Sequence, residues 1–229
     1  MYRSVFLFII AIVGSQDFLN AQLGFKAYYH LNKAESWEMA SVDGKLADES
    51  ILPDGTAFGV DYWFRLKNRR IEFISEITYA HYRQDDLINA RFESSWYSFF
   101  LRTNIYPFDF FSDCDCPTFS KQESPLRRGF FVQLVAGLSW IDQRIEAPSF
   151  SADTDHLAFG TGLGLGYDLG LSNLITLTPT AGWQYYPSVE WKALDTFSAQ
   201  IPGMDPIATR TSIQQWFAGL RLGLRWDYP

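Results

Sequence analysis

Three histidines, two nearly adjacent cysteines and a run of alternate glycines are the residues whose types and spacing could do chemistry. His30, His81 and His156 would suit a metal site, or the base of a hydrolase, if the fold brought their rings together at bond-length distances. Cys114-Asp115-Cys116, between Asp113 and Pro117, offers two thiols. Two thiolates are half of what a structural zinc needs, whereas a disulfide between alternate residues lies within the allowed Cα separation. A local Cys114–Cys116 disulfide is therefore the first reading, with a bond to a partner or a redox role as the others. Gly160, Gly162, Gly164 and Gly166 have the density of a phosphate loop but not its setting, because such a loop turns into a helix. No cofactor is implied, and no spacing singles out a nucleophile, base and orienting acid.

Whether such groups meet depends on the elements that carry them. At the N-terminus Arg3 precedes the apolar run Val5 to Val13, and a polar stretch ends at Leu19-Asn20-Ala21. This is the pattern of a secretory signal peptide occupying residues 1–21, with a mature chain from Gln22. The run is too short to cross a bilayer, which takes about 20 helical residues. No cysteine follows the cleavage site, which argues against a lipid anchor. An exported chain meets oxidising conditions. The net charge of -7 argues against nucleic acid, which selects a basic face.

Beyond residue 21 the sequence alternates in twos, the period of strands. In 157–169 the odd positions are Leu157, Phe159, Thr161, Leu163, Leu165, Tyr167 and Leu169, and the even ones are mostly glycine. Eight such segments fall near 23–32, 56–67, 70–83, 91–106, 128–142, 156–169, 174–187 and 212–227. The connections 68–69 and 170–173 are tight, while 33–55, 143–155 and 188–211 are long. This predicts a single all-β domain over 22–229, an eight-stranded antiparallel up-and-down barrel with lipid outside and side chains filling the lumen. Val60, Tyr62, Leu163, Leu165, Leu220 and Leu222 are expected to face lipid. Asp61, Arg65, Glu72, Glu76, Arg102, Arg221 and Arg225 are expected inside as a balanced charge network, with Lys26 and Asp168 beside them.

Pairing Lys67 with Arg70 across the Asn68-Arg69 turn sets Arg65 opposite Glu72 and Asp61 opposite Glu76. The second is a like-charge pair that needs a cation such as Arg102. Aromatic girdles are expected from Tyr28, Tyr29, Trp63, Tyr79, Tyr82, Trp96, Tyr97, Trp140, Trp183, Tyr185, Tyr186, Trp216, Trp226 and Tyr228. Pro179 cannot donate within a closed ladder and predicts a bulge. The glycine face is expected to leave room for Trp63, Phe100, Phe217 or an arginine. Alternation turns His30 and His156 inward but His81 outward, and strands one and six lie on opposite sides of the barrel, so a shared zinc site is disfavoured.

The string Leu101-Arg102-Thr103-Asn104-Ile105-Tyr106-Pro107, then Gly129-Phe130-Phe131-Val132 and Ala136-Gly137, resembles the PorT-like outer-membrane β-barrel domain family over essentially the whole mature chain. The resemblance implies a barrel in the bacterial outer membrane and does not carry over a specific role. The long connection 107–129, with Phe108, Phe110, Phe111, Phe119 and both cysteines, departs from the short turns of that pattern. It is expected in the periplasm as a plug of the lower mouth or a docking segment. Two function classes follow: a non-enzymatic structural or accessory barrel that docks other envelope proteins through 107–129 or the outer loops, and a small-ligand or lipid-handling barrel, including an outer-leaflet lipid-modifying enzyme. A pore is disfavoured by the bulky charged interior.

Overall fold

The computed structural model describes residues 22–39, 49–65, 69–87, 89–108, 129–172, 174–201 and 206–225. The expected signal peptide, Cys114, Cys116, Trp226, Tyr228 and nearly all of 107–129 lie outside them, as do the side chains of Arg65 and Arg225.

Eight strands form the wall: β1 Gln22–Lys33, β2 Gly55–Arg65, β3 Ile71–Leu87, β4 Ala90–Ile105, β5 Phe130–Ala147, β6 Phe150–Tyr167, β7 Ile175–Glu190 and β8 Arg210–Arg225. Each pairs antiparallel with its sequence neighbours. β8 also pairs with β1, from Gln22↔Arg225 to Lys33↔Gln214, which closes the barrel. Closure gives each strand a hydrogen-bonded neighbour on both sides over most of the belt, the condition for a sheet to sit in hydrocarbon.

Alternation then does the sorting. On the outer wall β4 carries Tyr97, Phe99, Leu101, Thr103 and Ile105, and β5 carries Phe130, Val132, Leu134, Ala136, Leu138 and Trp140. That is the span of about 9 to 11 residues with which a tilted strand crosses a bilayer. Val60, Leu163, Leu165, Leu220 and Leu222 are exposed on this wall and Tyr62 is half-exposed. An arginine at Leu220 is expected to lower stability by about 2 to 4 kcal/mol, provided that residue sits near the midplane. Urea unfolding of the variant in lipid vesicles measures it.

Tyr29, Tyr79, Tyr97, Trp140 and Trp216 edge the apolar belt, each exposed. Tyr28, Trp63, Tyr82, Trp96 and Tyr186, expected in the same girdle, are instead buried inside. Each sits one position off the outward register of its strand.

Two connections differ from expectation. Residues 143–155 are not a long loop: β5 runs to Ala147 and β6 starts at Phe150, leaving a turn at Pro148-Ser149. The reason is an inversion of polarity. Beyond the Trp140 level the inward residues become Ile141 and Ile145 and the outward ones Asp142, Arg144 and Glu146, the pattern of a soluble sheet. The period of two continues while the sign flips. β3 and β4 extend in the same way to a turn through Asn89, whose φ of 54° suits asparagine.

Pro179 produces no bulge. The β6–β7 register is the same on both sides of it, Thr180↔Gly166 and Leu177↔Leu169. The ladder is merely interrupted opposite Tyr167 and Asp168, where the proline has no N–H to give. The bulge on β7 lies further on, between Tyr186 and Val189.

Candidate functional site

The lumen is where the sequence concentrates its buried charge, and the strands bring that charge together in two clusters. In the first, Asp61 and Glu76 are direct cross-strand neighbours. Arg221 on β8 grips Asp61 with both ends of its fork, Nη2 to Oδ1 at 2.7 Å and Nε to Oδ2 at 2.8 Å. Lys26 on β1 sits between the carboxylates, 3.5 Å from Asp61 and bonded to Glu76. Arg102 donates to Glu76 at 2.8 Å and to Gln133 at 2.9 Å, and Gln133 donates to Asn104 at 2.7 Å. Tyr28 adds a bond to Glu76 at 3.0 Å. The like-charge pair thus has Arg102 as expected, together with Lys26 and Arg221. All five charged groups are buried, so their pairing offsets a desolvation cost of several kcal/mol per ion.

The second cluster lies nearer the chain ends. Tyr106 Oη is 2.7 Å from Glu72 Oε2 and 2.5 Å from Asp168 Oδ2, so its one phenolic proton can go to either carboxyl but not to both at once. Thr178 donates to Asp168 at 2.6 Å. The guanidinium of Arg70 packs 4.2 Å from the centre of the Tyr106 ring. Arg65 is opposite Glu72 in register. Between the clusters remains a cavity of about 30 Å³ lined by Lys26, Trp63, Glu72, Asp168 and Arg221 among others. Small-molecule sites usually take about 300 to 1,000 Å³.

The other half of the lumen is filled mainly by aromatic and aliphatic side chains, with uncharged Ser94, Ser139 and Gln215 buried among them. Tyr82, Trp96 and Tyr186 interlock edge to face, at 5.7 and 5.1 Å between ring centres. Above them a cap folds into the mouth from two connections. Trp37, Ile51 and Leu52 come from the one between β1 and β2, and Trp191, Leu194 and Phe197 from the one between β7 and β8, the last two on the short helix α1 Ala193–Ser198. Trp37 meets Trp191 at 5.6 Å and donates from Nε1 to Ala208 O at 2.9 Å.

The glycine face makes this filling possible. A Cβ at Gly160 would strike the Tyr186 ring, one at Gly166 the Phe131 ring, and one at Gly164 would crowd Phe217. Phe217 was expected there; Trp63 and Phe100 are not the neighbours found.

The histidines stay apart. His30 Nδ1 is 2.6 Å from Tyr82 Oη inside the lumen, while His81 Nδ1 is 3.0 Å from Ser95 Oγ on the outer wall. No group of three potential metal ligands occurs among the described residues.

Lys26, Tyr28, Tyr106, Asn104 and Gln133 carry more of the network than the sequence reading assigned them. Strict alternation from Arg102 through Asn104 to Tyr106 was the available signal. Nothing in the sequence marked Trp37 or Trp191 as a cap.

A closed eight-stranded antiparallel barrel with an apolar outer belt and buried charge inside is an outer-membrane β-barrel. Residues 54–188 match the family model for the autotransporter beta-domain, more than half of the chain, and the chain belongs to that family. Among solved structures it is similar to Ail, the attachment invasion locus protein of Yersinia pestis, at 9% identity over 90% of this chain and 98% of that one, with a TM-score of 0.46. Neisserial surface protein A is similar at 13% identity over 88% and 96%, with a TM-score of 0.45. The outer membrane protease OmpT from Escherichia coli is similar at 7% over 90% and 96%, with a TM-score of 0.40. No curated protein matches the sequence.

Proposed function

We propose that this barrel is a non-enzymatic accessory component of the outer membrane that docks other envelope proteins rather than conducting solutes. The observation that carries the reading is the filled lumen. The family is named for transport, yet a chain passing through here would displace both the Lys26–Glu76–Arg102 network and the Trp37–Trp191 cap. The cap and the water-facing strand extensions lie at the end of the barrel opposite Gln22 and Arg225, the end this reading assigns to the cell surface.

The lipid-modifying alternative would rest on His81 and Ser95, side by side just beyond the Tyr79 and Tyr97 girdle. A serine nucleophile needs its histidine oriented by a third group. No acid bonds His81 among the described residues.

The purified protein in planar bilayers is expected to give no large steady conductance. Cross-linking in native membranes is expected to trap envelope proteins on it. Channels of porin size would refute the filled-lumen reading, and a chain that cross-links to nothing would refute docking.

A further inference from the structure

We propose that the far half of β6 accepts an extended, basic segment of a partner protein as an added strand. The inference deepens the docking role and rests on it.

β6 pairs with β5 along its full length, from Phe130↔Tyr167 to Ala147↔Phe150. With β7 it pairs only from Gly166 to Thr161. Beyond that level β7 peels away: Pro187 has no N–H for β6, and the irregularity between Tyr186 and Val189 turns the strand toward β8. Residues 150–160 of β6 are therefore an edge, with no described strand beside them. Helix α1 packs on its tip, where Phe197 lies 5.9 Å from Phe150.

The polarity of that edge can be read from its neighbours. Asp168 N donates to Gly129 O at 2.9 Å, and Leu171 N donates to Ile175 O at 2.9 Å. Even-numbered residues thus turn their backbone to β5 and odd-numbered ones to the β7 side. The β5–β6 register is unbroken, so Ser151, Asp153, Asp155 and Leu157 hold N–H and C=O groups toward the gap. Sheet edges are usually blunted by proline, charged side chains or a covering element, and here the charge is of one sign, from Asp153 and Asp155, which repels a like strand and admits a basic one. This one bears no proline or lysine from Phe150 to Gly160.

The same odd residues point their side chains outward, which sets the occupant's chemistry. Asp155 faces Asp142 across the pair, with Asp153 and Glu93 nearby, in a groove of about 460 Å³ on the outer wall. Arg144 answers Asp153 at 2.6 Å, and Asp155 has no ion pair among the described residues. A strand laid against this edge sets alternate side chains about 5 Å from Asp153 and Asp155, so lysine or arginine at alternate positions fits. A second copy does not, because two such edges would bring their aspartates together. The acidic residues lie beyond Trp140 and Leu157, at the far end of the wall, where a partner strand reaches them from outside the hydrocarbon. Main-chain bonds supply affinity in such strand addition, and alternate side chains supply selectivity.

The test uses the full mature barrel in nanodiscs of zwitterionic lipid and a fluorescein-labelled octapeptide of alternating lysine and valine, read by anisotropy. The wild type is expected to bind it, and a glutamate-valine octapeptide is expected not to bind. Asp155→Pro removes one N–H from the open side and none from the β5 ladder, and is expected to weaken binding about tenfold or more. Asp155→Asn keeps that N–H, so it covers the case in which the proline variant loses its heat-modifiable migration; it is expected to weaken binding several-fold and flatten its salt dependence. No binding by the wild type, equal binding of both peptides, or unchanged binding by the properly folded variants would overturn the proposal. A concentration-dependent dimer abolished by Asp155→Pro would overturn it too, in favour of a second copy. Envelope cross-links that persist while peptide binding fails would sink this edge and leave the docking role standing.

Discussion

Glu76→Gln is expected to cost the folded barrel about 3 to 5 kcal/mol, the usual penalty for removing one partner of a buried ion pair. Glu76 is fully buried and is shared by Lys26, Arg102 and Tyr28. Neutralising it leaves two cations facing one remaining carboxylate, Asp61, which Arg221 already holds with both oxygens. Urea unfolding in lipid vesicles, followed by tryptophan fluorescence, should show the loss as a lowered midpoint. The double variant Lys26→Met with Glu76→Gln removes the orphaned ammonium as well. It should recover part of the stability, because neighbouring changes in one network are not additive. A single variant as stable as the wild type would mean that water reaches the network and screens it.

Trp191→Ala is expected to cost about 3 to 5 kcal/mol as well, by a different mechanism: a large side chain is deleted from a packed cap. Trp191 is fully buried between Trp37 at 5.6 Å and Phe92 at 6.0 Å. Its Nε1 makes no hydrogen bond among the described residues, so Trp191→Phe should retain most of the stability. The alanine variant should also become sensitive to protease in 191–208 while remaining silent in planar bilayers, since Tyr82, Trp96 and Tyr186 still block the lumen below. Unchanged protease resistance would show that the cap holds without Trp191.

Much of this architecture was legible in the sequence because a membrane barrel writes its two faces as odd and even positions. The run from Leu157 to Tyr167 gave away the outward face of β6, and a tight turn expected at Asn68-Arg69 led to the Asp61–Glu76 and Arg65–Glu72 pairs, which the register contains. Legibility failed where solvent changes along a strand. Past Trp140 the inward side chains are Ile141 and Ile145 and the outward ones are charged, so a reading tuned to grease outside stops one turn of pattern too soon. Aromatic residues misled for a related reason: Tyr28 and Tyr29 are adjacent and chemically alike, yet one bonds Glu76 in the lumen and the other sits in the girdle. The cap was invisible because Trp37, Ile51, Trp191 and Phe197 come from connections with no period to read. They meet only through a fold made by residues far from them in sequence.

The pairing of β1 with β8 sets a clock on assembly. Gln22 opens the first strand of the wall and Arg225 ends the eighth, yet they are neighbours in the finished barrel, so the last strand is the one that seals the first. Until it arrives, Asp61 lacks the Arg221 fork and the seam has two raw edges, a state that hydrocarbon does not tolerate. Such end-to-end pairing also makes folding slow, because the longest loop must close before its contacts count. The wall is therefore completed only when its last strand docks, and a copy lacking residues 210–225 would keep both edges of that seam open.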